Sequence, residues 1–240
     1  MTLIEPPVVA RGMHAWHVRR SVPPMTRDLG EVVQAGYDQA VDQYERLEQA
    51  DEQWPRSRWL TDLERRLDPG SSVLDLGCAT GVPVAARLAE SYRVTGVDIS
   101  PVQIEQASRN VPEGEFTCVD LQTVTFPDGN FDAVVSLYTF DHVPREQHID
   151  LLNRIRGWLR PDGLLLLSIE DRDEPGTVAQ WLGVDMHFSM FDADTTRRLV
   201  LDAGFTTERT AVEDQIKGQV EIPYTWILAR RPVEAARHTT

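Results

Sequence analysis

Cysteine is scarce in this 240-residue chain, which holds only Cys78 and Cys118. Two cysteines make no disulfide framework, and free thiols suit a reducing compartment. Long apolar runs are missing too. The longest, around Leu164 to Leu167, has the length of a strand, whereas a membrane helix needs about 20 residues. The opening Met1-Thr2-Leu3-Ile4-Glu5-Pro6-Pro7 has no basic stretch followed by an apolar one, which argues against a secretory leader and for the cytoplasm. Positive charge is short: 24 Lys and Arg stand against 38 Asp and Glu, for a net charge of −14. A phosphate backbone usually requires a basic face, so neither nucleic acid nor a membrane is an expected partner. No internal repeat, H-x-x-x-H pair or cysteine cluster occurs, and no metal site is expected.

What is present is an alternation. Residues 1–30 read as an irregular arm, with prolines at 6, 7, 23 and 24 and a basic-aromatic patch of His14, Trp16, His17, Arg19 and Arg20. The patch fits a mobile arm or a flap over a substrate, and Met13, Trp16 and Arg20 have helical spacing. Helices are predicted over 31–49 and 56–67, the second stopped by Asp68-Pro69-Gly70. Strands at 72–76, 93–97, 115–119, 131–136 and 163–169 then alternate with helices at 82–90, 101–110 and 144–159. Such alternation means parallel strands joined by right-handed crossovers. A helix from Asp192 to Ala203, stopped by Gly204, precedes two strands at 205–212 and 220–229 that pair as a hairpin on one sheet edge. The expected organisation is one domain over 31–232. It has a helical cap at 31–68, a substrate-side insertion at 171–191 and a tail at 233–240.

The most informative segment is Val73-Leu74-Asp75-Leu76-Gly77-Cys78-Ala79-Thr80-Gly81: a buried strand, a glycine turn and a helix start. Ligands in such folds lie beyond the carboxyl ends of the strands, at the switch point. Gly77 permits a sharp turn. A dinucleotide cradle would place glycines at 79 and 82, and the chain has Ala79 and Val82. The turn therefore suits a nucleoside without phosphate. The second strand ends at Asp98, whose carboxylate can accept both ribose hydroxyls, with Ile99 beside it. The third ends at Asp120, which can take an exocyclic amine, with Leu121 completing an apolar sandwich around a base.

These residues resemble class I S-adenosylmethionine-dependent methyltransferases over about residues 31–230. Residues 73–81 resemble the cofactor loop, Phe131-Asp132-Ala133-Val134-Val135-Ser136 the fourth strand, and Leu159-Arg160-Pro161-Asp162-Gly163 the turn into the fifth. The resemblance implies an α/β, Rossmann-like, mostly parallel seven-stranded sheet with helices on both faces and a C-terminal antiparallel hairpin. It implies S-adenosylmethionine as cofactor, contacted by Tyr37, Tyr44, Asp75, Gly77, Cys78, Ala79, Gly81, Asp98, Ile99, Asp120, Leu121 and Leu137. Ala79 departs from the family's glycine, which matters if φ there is positive. Asp162 departs in a turn that tolerates aspartate. The stretches 138–145, 181–189 and 221–226 resemble small actinobacterial methyltransferases, many of which look like tailoring enzymes of secondary metabolism.

The expected reaction moves a methyl group to a small organic acceptor, most readily at oxygen, otherwise nitrogen or sulfur. A hydroxyl acceptor needs a base, and imidazole titrates in the right range. His142, after the fourth strand, is the first candidate and His187, in the insertion, the second. Each also has a structural reading, as a helix cap or as packing beneath the insertion. Tyr138, Trp181, Met186 and Phe188 are expected to bind the acceptor, with Met190 and Phe191 in the same apolar wall. Trp59 and Arg58 extend the tyrosine wall, and Glu170 and Asp171 read as a solvated strand end. Backbone N–H groups of the 77–81 turn are available for the methionine carboxylate. Two alternatives stay open: a protein that binds the cofactor without methyl transfer, and a dinucleotide-dependent oxidoreductase. The oligomeric state is open, a homodimer included.

Overall fold

The computed structural model describes residues 28–49, 55–217 and 220–233. The patch at 14–20 and most of the expected N-terminal arm lie outside the described residues.

Seven strands form one sheet. They are β1 (Ser72–Leu76), β2 (Arg93–Asp98), β3 (Glu115–Cys118), β4 (Phe131–Leu137), β5 (Leu159–Glu170), β8 (Thr206–Lys217) and β9 (Val220–Arg230), in the order β3-β2-β1-β4-β5-β9-β8. The first five are parallel, while β9 lies antiparallel between β5 and β8. The strands that read as continuous apolar runs are the central ones, because helices cover both of their faces. On one face Leu74, Leu76, Leu165 and Leu167 pack against Leu151, Ile155 and Trp158 of helix α5 (His148–Trp158). On the other, Val73, Val135, Leu166 and Trp226 meet Trp59 and Leu63 of α2 (Pro55–Glu64) and Leu88 of α3 (Val84–Ala89).

The remaining helices follow local signals. Helix α4 (Pro101–Asn110) carries proline in its first turn and is capped by Ser100, whose hydroxyl accepts the Gln103 N–H at 3.1 Å. Helix α6 (Ala193–Asp202) is capped by Asp192, whose carboxylate accepts the Thr195 N–H at 2.8 Å. The predicted helix from Pro144 is divided: Arg145–Gln147 is a 3-10 turn and α5 starts at His148. Pro144 itself is extended, at ψ 125°, so it cannot be the first helical residue.

The insertion after β5 is a two-stranded sheet of its own, β6 (Glu174–Trp181) against β7 (Val184–Met190). Its turn, Leu182-Gly183, has positive φ at both residues, the geometry of a tight hairpin. Helix α1 (Leu29–Gln49) lies against β7 and needs Gly36 there. A Cβ at that position would come within 2.9 Å of the Asp185 carbonyl and 2.7 Å of the Met186 methyl. α1 and this hairpin together cover the carboxyl ends of the parallel strands.

Candidate active site

The glycine turn after β1 brings the chain back across the strand ends. Gly77 has φ +76°, and a Cβ on it would sit 2.2 Å from the Thr139 hydroxyl, so only glycine allows the segment after β4 to cross here. Ala79 is also left-handed, at φ 48°, so the family's usual glycine is replaced where an alanine is strained.

A cleft opens at these ends, lined by Tyr37, Tyr44, Gly77, Ala79, Asp98, Ile99, Asp120, Leu121 and Leu137 among others. Nine expected cofactor contacts thus share one crevice. Asp98 is pinned by two backbone N–H groups, Ala79 at 3.0 Å and Ser100 at 2.9 Å, one on each oxygen. A carboxylate offers about four lone-pair directions, so capacity remains for two ribose hydroxyls. Burial raises the Asp98 carboxyl to about 6, while the backbone N–H groups of Ser100, Ala79 and Ile99 pull it down and Asp38 pushes it up. Asp120 accepts the Gln122 N–H at 2.7 Å, which fixes its carboxylate at the cleft. Acids flanked by Ile99 and Leu121 suit an adenosine group and offer no phosphate cradle.

Three expected contacts lie elsewhere. Asp75, Cys78 and Gly81 do not line the cleft. Asp75 shares a sheet face with Val73, away from Leu74 and Leu76, and its buried carboxyl is raised to about 7 by desolvation and then by Asp98, with Arg56 opposing. Cys78 is buried, and its thiol is pushed well up, by burial first. Four of the turn's five backbone donors are engaged as well. The N–H groups of Gly77 and Cys78 bond Val97, that of Ala79 bonds Asp98, and that of Gly81 bonds Cys78. Within the turn the Thr80 N–H is left for the expected methionine carboxylate.

A second cavity of about 210 Å³ adjoins the cleft and shares Tyr37, Tyr44, Tyr138 and His142 with it. Trp181 and Phe188 line it as expected. Met186 does not: it is fully buried with Val33 and Ala40, fastening β7 to α1. Met190 is buried in the core, and the Arg145 guanidinium covers the Phe191 ring at 4.7 Å. Trp59 stacks on Trp226 in the opposite core layer, and Arg58 pairs with Glu213, so neither extends the tyrosine wall. Glu170, expected in solvent, is 7% exposed and lines the cavity. Asp171 instead accepts the Ala193 N–H at 2.6 Å.

His142 stands where the two spaces meet. It sits in a 3-10 turn, Phe140–His142, that follows β4. Its Nδ1 is 2.8 Å from the His187 carbonyl, which can only accept, so Nδ1 carries the proton. In the neutral ring Nε2 then presents its lone pair, and the Tyr37 hydroxyl donates to it at 2.8 Å. A backbone carbonyl thus fixes the tautomer that a base needs at Nε2. His187 contributes this carbonyl rather than its ring. The residue is 3% exposed and lines neither space, and burial lowers the pKa of its ring.

The methyltransferase-domain family matches residues 46–210. That span is most of the chain. The chain belongs to the class I, S-adenosylmethionine-dependent methyltransferases.

Among curated relatives of this methyltransferase, the 2-methyl-6-phytyl-1,4-hydroquinone methyltransferase of Synechocystis is 40% identical over 110 residues, 42% of this chain and 33% of that one. The 27-O-demethylrifamycin SV methyltransferase of Amycolatopsis mediterranei is 31% identical over 109 residues, 42% of this chain and 39% of that one. The chain therefore spans well under half the length of these relatives. Among solved structures, the Burkholderia thailandensis 1,6-didemethyltoxoflavin-N1-methyltransferase, with its substrate and S-adenosylhomocysteine bound, superposes with a TM-score of 0.68. That match has 21% identity and covers 95% of this chain and all of the other, which carries the fold alone.

Sequence reasoning missed Asp141, Arg172, Glu174 and Tyr224, all on the cavity wall. Tyr224 lies within the 221–226 stretch already singled out, but nothing local marks it as facing a ligand.

Proposed function

We propose that this methyltransferase moves the methyl group of S-adenosylmethionine to an oxygen of a small organic acceptor held in the 210 Å³ cavity, with His142 as general base. Residues 31–232 act as one catalytic domain, helix α1 and the 171–191 hairpin closing over the acceptor. When bound, the cofactor supplies an electrophilic methyl on a sulfonium that leaves as a neutral thioether, so no acid is required. Asp98 and Asp120 hold the nucleoside end, and Ile99 and Leu121 flank its base. Tyr37 and Tyr44 lie against one another, ring centroids 5.6 Å apart, over the passage between the two spaces. Their role is to exclude water and to hold the acceptor in line, the effect on which such a displacement chiefly depends.

The observation that carries this reading is the His142 tautomer. An acceptor hydroxyl that takes the place of the Tyr37 hydroxyl meets the bare Nε2 and gives up its proton there. The relatives named for a rifamycin and a hydroquinone favour an organic acceptor that contains a ring, and the rifamycin one favours oxygen and a secondary-metabolite setting. The cytoplasm is the proposed compartment. No described helix is long and apolar enough to cross a membrane. The test is turnover of S-adenosylmethionine against a panel of hydroxylated ring compounds, with product mass as readout. Saturable binding of S-adenosylhomocysteine with no methylated product from any acceptor would favour a cofactor-binding protein without transfer.

A further inference from the structure

We infer that the acceptor carries a positive charge, as a protonated amine or a quaternary ammonium, on a body of about one ring. This rests on the methyltransferase reading above and names its substrate class. Size is the first constraint. An engineered cavity of about 150 Å³ holds benzene, so 210 Å³ takes one ring and its substituents.

Electrical sign is the second constraint. Beyond the residues shared with the cofactor cleft, the wall carries three carboxylates, Asp141, Glu170 and Glu174, against a single guanidinium, Arg172. Arg172 already faces Glu170, Nε to Oε1, at 3.3 Å. As the neutral imidazole that the proposed base requires, His142 adds no charge. Much of the rest of the wall is aromatic, with Tyr44, Trp181, Phe188 and Tyr224 around the space and four of the chain's five tyrosines on it. Aromatic faces attract cations through their quadrupole, most strongly where water is excluded. The same wall repels an anionic acceptor, which supplies selectivity as well as affinity. Burial, then Asp141 and Glu170, push the Tyr224 phenol well up, a local sign of the negative field. None of the three acids lines the cofactor cleft, so these carboxylates border the acceptor space.

The test uses the intact protein saturated with S-adenosylhomocysteine, whose sulfur is neutral, and three ring-sized probes: benzylammonium, benzyl alcohol and benzoate. Benzylammonium should bind tightest and benzoate at least about tenfold more weakly, a difference of about 1.4 kcal/mol. Glu174→Gln should shrink that preference about threefold or more, and Arg172→Gln should widen it. Benzoate binding as well as benzylammonium, or an unchanged preference in Glu174→Gln, would overturn the inference. So would a loss of S-adenosylhomocysteine affinity in Glu174→Gln with the amine unaffected, since the acids would then serve the cofactor. Failure of all three probes with S-adenosylhomocysteine still bound overturns this inference and leaves the methyltransferase reading intact. Failure of S-adenosylhomocysteine itself overturns both.

Discussion

The cofactor cleft and the acceptor cavity share a wall but are assembled in different ways. The acids and apolar pairs of the cleft come from residues 77–121, each just past the end of a parallel strand. The cavity gathers residues from 37 to 224: α1, the turn after β4, the end of β5, the β6–β7 hairpin and β9. A ligand common to a whole family can be held by the shared strand ends. A ligand particular to one protein is held by elements added around them. Changes in the two regions should therefore separate cofactor binding from acceptor handling.

The largest effect expected is at their junction. His142→Ala should lower transfer to a hydroxyl acceptor about 10²–10⁴-fold, the usual contribution of a general base. Affinity for S-adenosylhomocysteine, read by calorimetry, should stay within about threefold of the native value. A matching fall in both would erase the distinction. Asp98→Ala should do the reverse. It should weaken S-adenosylhomocysteine by about 1–3 kcal/mol, as for one or two charge-assisted hydrogen bonds, and leave ring-probe binding largely unchanged.

Gly36→Ala perturbs the packing of α1 on the hairpin that walls the acceptor cavity. Overpacking against the Asp185 carbonyl and Met186 costs about 1–3 kcal/mol, and better helix propensity returns about 1 kcal/mol. Thermal unfolding should show a net loss near 1 kcal/mol, with a raised KM for the acceptor and little change for the cofactor. A larger KM shift for the cofactor would show that the change acts mainly through Tyr37 and Tyr44 in the cleft.

The pH dependence sharpens the cleft side. Only the ionised Asp98 accepts two ribose hydroxyls, and burial raises its carboxyl to about 6. S-adenosylhomocysteine affinity should fall as pH drops below 6, approaching about tenfold per unit, and Asp98→Asn should flatten the profile. Stability of the free protein has the opposite sign. Asp75 at about 7 and Asp98 at about 6 both lie above the usual 3.8, so the folded chain binds protons more tightly than the unfolded one. Their contribution to stability rises as pH is lowered from 7 towards 4. His148, lowered to about 4 by burial, opposes this as pH falls through 6.5. The smallest effect expected is from Ala79→Gly. It relieves a left-handed alanine and should stabilise by up to about 1 kcal/mol, less the added entropy of the unfolded glycine.

The cleft was legible because its signals are local. Val73 to Gly81, Asp98 and Asp120 each close a strand, and a parallel sheet returns every such end to one edge. His142 was legible for the same reason, one turn beyond β4. His187 was misplaced because period-2 alternation within β7 decides which side chains face the cavity. The insertion was not recognised as a hairpin, so that alternation was not available. Asp75 was placed by motif, yet its strand phase turns it away from the cleft.

By itself the sequence determined the strand–helix alternation, the glycine turn, the helix caps and the acids at the strand ends, all consequences of short-range backbone sterics and hydrogen bonding. The tertiary structure alone decided the acceptor side. The tautomer of His142 depends on a carbonyl 45 residues away, and the wall's charge on residues from separate elements. Interactions between segments that meet only on folding leave no periodicity or spacing in the chain from which to read them.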